Sequence, residues 1–156
     1  MSRRSKPEKH EILGDVRFNN EHVQNFINRV VRRGKKSVAT TVVYDAFDMI
    51  EERTKHSALE VFESAIKNVS PVLEVKPRRV GGATYQIPME VPPYRRFALA
   101  SRWILQGAIA RSGKSFSEKL AGELIDAANN TGSAIRKREE THKMAEANRA
   151  FSHFRA

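Results

Sequence analysis

Apolar positions recur along most of this chain at intervals of three and four, the spacing that lines one face of an α-helix. Val23, Phe26, Ile27, Val30 and Val31 form the first stripe, which Gly34 closes. Asn19 or Asn20 can cap its free amides. Ser37 is placed to cap a second helix, with Ala39, Val42, Val43, Ala46 and Ile50 inside and Asp45, Asp48, Glu51 and Glu52 outside. A third opens with Ser57-Ala58-Leu59-Glu60, a capping box in which serine and glutamate satisfy each other's backbone donors. Leu59, Phe62, Ile66 and Val69 make its buried edge, and Pro71 stops it.

The period changes between Val72 and Val91, where β-formers flank Gly81-Gly82, the two-residue turn of a tight hairpin. That turn sets Val80 opposite Ala83 and Arg78 opposite Tyr85. Pro77 and Pro88 cannot donate to a ladder, so neither arm is a central strand. The pattern predicts a two-stranded ribbon with outward-facing prolines, which must lean on the helices or on a partner. Pro92-Pro93 then suits a helix entry. Phe97, Ala100, Ser101, Ile104, Leu105 and Ala108 make this fourth helix the most apolar. Ser115-Phe116-Ser117-Glu118 is a second capping box, with Leu120, Leu124, Ala127 and Ala128 inside the helix it opens. After Asn129-Asn130-Thr131-Gly132, a weakly amphipathic sixth helix runs from Ser133 to about Arg149, anchored by Ile135, Met144 and Ala145.

The expected fold is therefore mainly α, a bundle of about six helices with a protruding two-stranded β-ribbon and basic N- and C-terminal extensions. We read 1–156 as a single domain: a basic arm over 1–17, helices one to three over 18–71, the ribbon over 72–91, helices four to six over 92–149 and a tail over 150–156.

Composition narrows the function. A chain of 156 residues, 40% of them hydrophobic, can bury one core. Lys and Arg number 28 against 18 acids, a net charge of +10 that favours a polyanionic partner. The absence of cysteine excludes disulfides, thiolate zinc sites and thiol catalysis. No apolar run approaches the ~18 residues that span a bilayer, and the basic start lacks the apolar stretch of a secretory signal. A soluble intracellular protein without membrane contact is expected.

Catalytic motifs do not accumulate. Arg111-Ser112-Gly113-Lys114-Ser115 is similar to the end of a phosphate-binding loop, but that loop needs glycine where Ala108 stands, and a strand before it. His10, His22, His56, His142 and His153 never stand three or four apart, so no metal site is expected. Glu51-Glu52 and Glu139-Glu140 are adjacent and point apart on a helix. No enzyme and no cofactor are expected.

The basic clusters carry the signal. They are Arg3, Arg4, Lys6 and Lys9 in the arm, Arg32, Arg33, Lys35 and Lys36 after the first helix, and Lys76, Arg78 and Arg79 in the ribbon. Arg95, Arg96 and Arg102 lie on the fourth helix, Arg111 and Lys114 follow it, and Arg136, Lys137, Arg138 and Lys143 lie on the sixth. Each alone is an ordinary solvated face. Together they recur at helix ends, loops and ribbon, while acids concentrate in helices two and three, as a one-sided footprint on phosphates requires. Tyr85 and Tyr94, beside arginines, are either stacking platforms for bases or the rim of the core. An RNA clamp and an architectural DNA binder both fit this pattern.

The stretch Phe26-Ile27 through Arg32-Arg33-Gly34-Lys35-Lys36, followed by Val42-Val43-Tyr44-Asp45-Ala46, resembles the family of the seventh small-subunit ribosomal protein. So do Val75-Lys76-Pro77-Arg78-Arg79-Val80-Gly81-Gly82-Ala83-Thr84-Tyr85-Gln86-Ile87-Pro88 and the run from Pro92 to Leu105, with Arg95-Arg96 and Arg102-Trp103. Family members usually continue Ile-Leu with Pro-Asp-Pro, where this chain has Gly14-Asp15-Val16. The resemblance implies six helices plus a ribbon, and a structural constituent of the cytoplasmic small subunit that acts in translation. It implies binding to the 3′ major domain of 16S ribosomal RNA, where the family nucleates assembly of the 30S head. The ribbon and C-terminal part would lie near the exit-site tRNA and the mRNA path, among neighbouring head proteins and beside the eleventh small-subunit protein, with no homo-oligomer. By position it carries RNA contact to Arg3, Arg4, Lys6, Lys35, Lys36, Lys76, Arg78, Arg79, Arg95, Arg96, Arg102, Arg111 and Lys114. Lys9, Arg32 and Arg33 join them through their clusters. Arg136, Lys137, Arg138, His142 and Lys143, with Tyr85, form the expected tRNA or partner side.

Overall fold

Asn20 opens α1 (Glu21–Val30), its side-chain oxygen accepting from the amides of His22 and Val23 at 2.7 and 3.2 Å. The computed structural model describes residues 11–155, and they divide after Thr40 into two compact units. In the first unit, Val23, Phe26 and Ile27 are buried. The helix stops at Val30, earlier than its apolar stripe predicts, because Arg33 and Gly34 both take left-handed backbone (φ +53° and +74°) and reverse the chain.

Before α1, the buried Asp15 carboxylate accepts from the amides of Arg17, Phe18 and Asn20 at 3.0–3.1 Å and fastens the approach. Gly14 belongs to this device, since a Cβ there would lie 2.6 Å from the Asn19 carbonyl carbon. Gly14→Ala should therefore cost about 1–3 kcal/mol, read from the urea midpoint.

α2 (Lys36–Thr54) begins one residue before the predicted cap. The Lys35 carbonyl already accepts from the Ala39 amide at 3.3 Å, so Ser37 lies within the first turn and does not cap it. α2 runs on into the second unit, where α3 (Ala58–Val69) follows. The predicted capping box of α3 does not form. Ser57 makes no side-chain cap bond, and Glu51 of α2 accepts from the Ala58 amide at 3.2 Å in its place. Lys55, at φ +58°, turns the chain tightly enough to bring Glu51 there. Phe47, absent from the predicted stripe, is fully buried against Phe62, with ring centroids 5.5 Å apart.

β1 (Leu73–Val80) pairs antiparallel with β2 (Ala83–Glu90) in the predicted register, Val80 opposite Ala83 and Arg78 opposite Tyr85. Gly81 and Gly82 supply the two positive φ values that a two-residue turn demands. Pro77 faces 86 and Pro88 faces 75, both outside the hydrogen-bonded pairs counted from the turn, so neither nitrogen interrupts the ladder. The expectation of outward-facing prolines holds for Pro77, which is exposed, and fails for Pro88, which is buried. The ribbon packs on the last helix and on the C-terminal segment, and Pro88 lies in its buried half next to Ile87.

α4 (Pro93–Ala110) starts at Pro93 and buries Leu99, Ala100, Trp103, Ile104, Gly107 and Ala108, with Phe97 and Leu105 half-buried. α5 (Phe116–Ala128) is capped as predicted by Ser115, whose hydroxyl accepts from the Glu118 amide at 3.2 Å. The Glu118 carboxylate reaches back to the Lys114 amide. α6 (Gly132–Ala147) buries Ala134, Ile135, Thr141 and Ala145. Met144, expected as an anchor, is half-exposed, and inward space goes to Thr141, whose hydroxyl donates to the Lys137 carbonyl. The expected tail forms a 3₁₀ helix, Arg149–Arg155, that packs on β2. α5 lies against α3 and α4, and α6 against α4, α5 and β1, enclosing Phe62, Ile104, Leu120 and Leu124.

Candidate nucleic-acid interface

In the first unit, Arg32, Arg33, Lys35 and Lys36 are exposed on the reversal between α1 and α2. Bonds from the Lys35 amide to the Arg32 carbonyl (3.2 Å) and from the Lys36 amide to the Gly34 carbonyl (2.9 Å) hold this turn closed. Four cations thus share one short, defined loop, a geometry suited to a phosphate backbone. Arg3, Arg4, Lys6 and Lys9 lie outside the described residues.

In the second unit, the ribbon separates base from tip. At the base, Glu74 is buried and binds Arg95 of α4, whose Nε donates to both carboxylate oxygens at 3.0 and 3.1 Å. Lys76 sits 3.3 Å from the same carboxylate. Beyond it, Arg78 and Arg79 are exposed. Successive side chains alternate across a strand, so the two arginines occupy opposite faces of the ribbon. Tyr85 is half-buried, its ring 5.2 Å from that of Phe151. That contact makes it part of the packing between β2 and the 3₁₀ helix.

The remaining candidates sort by what they touch. The Arg96 Nε donates to the Val91 carbonyl at 2.9 Å and ties the start of α4 to the strand end. Arg111 donates to Glu123 and Asp126 at 2.9 and 2.6 Å. Those two bonds, Asp126 first, hold its guanidinium above its ordinary pKa. Arg138 donates to the Asn68 carbonyl at the end of α3, and Lys137 pairs with Glu140 at 3.1 Å. Arg102, Lys114, Arg136 and Lys143 are exposed, as is Tyr94. Part of the basic signal in the sequence thus builds the fold, and part faces solvent.

The acids that capture these arginines escaped the sequence pattern. Glu123 stands three residues after Leu120 and beside Leu124, a slot of the apolar stripe, and that placement is the signal that could have revealed it. Glu74 gives no such signal.

His142 has a structural role as well. Its Nε2 accepts from the Val72 amide at 3.1 Å, latching the approach to β1 onto α6. Burial first, and then the charge of Arg138, push its pKa below the ordinary 6.5. The folded imidazole binds its proton more weakly than the unfolded one. The latch therefore contributes stability that is full above about pH 7 and is lost as pH falls through 6.5 towards the lowered folded value. His142→Gln should flatten that part of the stability–pH curve, read as thermal midpoints of both proteins at pH 7.5 and 5.5.

Among the described residues no group of three His, Asp or Glu is placed to hold a metal ion, and no helix is long and apolar enough to cross a membrane. The turn from Arg111 to Ser115 joins two helices, α4 and α5, without the strand that a phosphate-binding loop follows.

Comparison with known proteins returns one family. The model described as ribosomal protein S7p/S5e matches residues 2–149. Proteins named small ribosomal subunit protein uS7 from Thermomicrobium roseum, Desulfatibacillum aliphaticivorans and Streptococcus thermophilus are 58%, 59% and 55% identical over 155 residues, covering 99% of both chains in each case.

Proposed function

We propose, from the premise that this chain belongs to the ribosomal protein S7p/S5e family and is a non-enzymatic constituent of the small ribosomal subunit, that its exposed cations grip the 3′ major domain of 16S ribosomal RNA. In this role it nucleates assembly of the 30S head. The turn at Arg32, Arg33, Lys35 and Lys36 is one contact, and the ribbon, with Arg78 and Arg79 toward its tip and Lys76 nearer its base beside Glu74, is a second. Arg102 and Lys114 extend the contact along α4 and beyond its end. Arg95, Arg96 and Arg111 contribute mainly by positioning, since their nitrogens already hold Glu74, Val91, Glu123 and Asp126. The α6 side, with Arg136, Lys137, Arg138, His142 and Lys143, and the ribbon flank at Tyr85 face the exit-site tRNA, the mRNA path and the eleventh small-subunit protein.

One observation carries this reading. Arg32, Arg33, Lys35 and Lys36 are all exposed on one short turn whose backbone is closed by its own hydrogen bonds. Rigid elements then present charge, as shape-specific RNA binding requires. Competition between a folded fragment of the 3′ major domain and duplex DNA, at matched salt, tests it. The RNA should win by on the order of 10³-fold. Equal affinity would overturn the reading and favour the architectural DNA binder.

A further inference from the structure

We infer that the cleft between α4 and α6 seats one unpaired RNA nucleobase, with the adjoining phosphate on Arg136. The inference rests on the RNA-binding reading above, but it can fail while that reading stands.

The cleft has a volume of about 280 Å³. That is at the lower limit of small-molecule pockets, enough for one planar ring system and too little for a stack. α4 supplies Trp103, Gln106 and Gly107, spaced three and four apart on one face. Gly107 lets α4 approach the buried Glu123 carboxylate at the floor of this wall. A Cβ there would meet Glu123 Oε1 at 2.5 Å and Ser133 Oγ at 3.0 Å, so any side chain at this position would push the two helices apart. α6 supplies the facing wall, Arg136, Lys137 and Glu140, one turn of helix.

The chemistry of these groups is that of a base site. Trp103 is mostly buried, 8% exposed, and what it shows lies in the cleft. With so little of it exposed, the indole offers a base an apolar edge to pack against and no full face to stack on. The Gln106 amide offers both a donor and an acceptor to a base edge. Lys137 and Glu140 pair at 3.1 Å and neutralise each other, which leaves the exposed Arg136 as the net charge at the rim for a phosphate. The Glu140 carboxylate accepts from an exocyclic amine, a group that adenine carries and uracil lacks.

Trp103 is the only tryptophan of the chain, so its emission reports this cleft alone. The test titrates the full chain with short oligoadenylate, oligouridylate and an abasic sugar–phosphate oligomer of equal charge, and measures binding of the 3′ major-domain fragment in parallel. Oligoadenylate should quench Trp103 saturably and bind about tenfold tighter than oligouridylate, and the abasic oligomer should not quench. Arg136→Glu should weaken oligoadenylate about tenfold or more. Gln106→Ala and Glu140→Ala, both at exposed positions, should bring the two oligomers within about twofold of each other. Quenching unchanged by Arg136→Glu would place the base elsewhere and overturn the inference. So would an abasic oligomer that competes as well as oligoadenylate, or a photo-crosslinker at position 106 that captures a ribosomal protein and no RNA. Loss of oligoadenylate quenching with the rRNA fragment still bound refutes the cleft alone; loss of both refutes the RNA-binding reading with it.

Discussion

Glu123→Ala should cost about 1–3 kcal/mol of folding stability, the loss expected when a buried donor is left without its acceptor. The Glu123 carboxylate is fully buried, and three helices converge on it. One oxygen accepts from Arg111, just past the end of α4, at 2.9 Å, and the other accepts from the Ala134 amide in the first turn of α6 at 2.9 Å. The second contact also places a negative charge at the positive end of a helix. Alanine would leave that amide without its acceptor and a cavity where the side chain stood. Gly107→Ala attacks the same point from α4, since its methyl group would stand 2.5 Å from the carboxylate. The two changes should therefore be strongly coupled. Gly107→Ala should be costly in the natural chain and much cheaper in the Glu123→Ala background, where the methyl group enters vacated space. Urea unfolding of the four proteins measures the cycle, and simple additivity would show that the carboxylate does not hold the helices together.

Replacing Arg78 and Arg79 together by alanine should lower the salt slope of rRNA binding by about one to two units, while stability changes by no more than about 0.5 kcal/mol. Both side chains are exposed, Arg78 at the level where Tyr85 packs on Phe151 and Arg79 one residue nearer the turn. The register gives each face of the ribbon one of them, so a groove of RNA meets charge whichever face it contacts. Arg95→Ala is the informative contrast. It removes one positive charge in place of two, but leaves the buried Glu74 without the Nε that donates to both its oxygens, so stability should fall first. An unchanged slope for Arg78→Ala with Arg79→Ala would mean that the ribbon tip faces away from RNA.

The ribbon was legible because its information is local. Two consecutive glycines specify the turn, and the turn specifies every cross-strand pair. Six helices were legible for a similar reason, since their stripes and stops are short-range. What escaped depends on contacts between distant segments. Ser57 and Glu60 have the right spacing for a capping box, but Glu51 arrives first across a tight turn. Arg95 and Arg111 read as phosphate ligands because a sequence shows where charge lies and not which carboxylate folding brings to it. Phe47 was readable, four residues after Val43 and three before Ile50, and extends the stripe of α2. The interface was legible as a set of clusters. Its division into cations that brace the fold and cations that face outward required the structure.

Crosslinking within intact small subunits, with the crosslinked peptides and nucleotides both identified, tests the central claim most directly. Peptides bearing Lys76, Arg78 and Arg79, and those bearing Lys35 and Lys36, should carry nucleotides of the 3′ major domain of 16S ribosomal RNA. Crosslinks from those peptides confined to another domain of the RNA, or found on proteins alone, would contradict it.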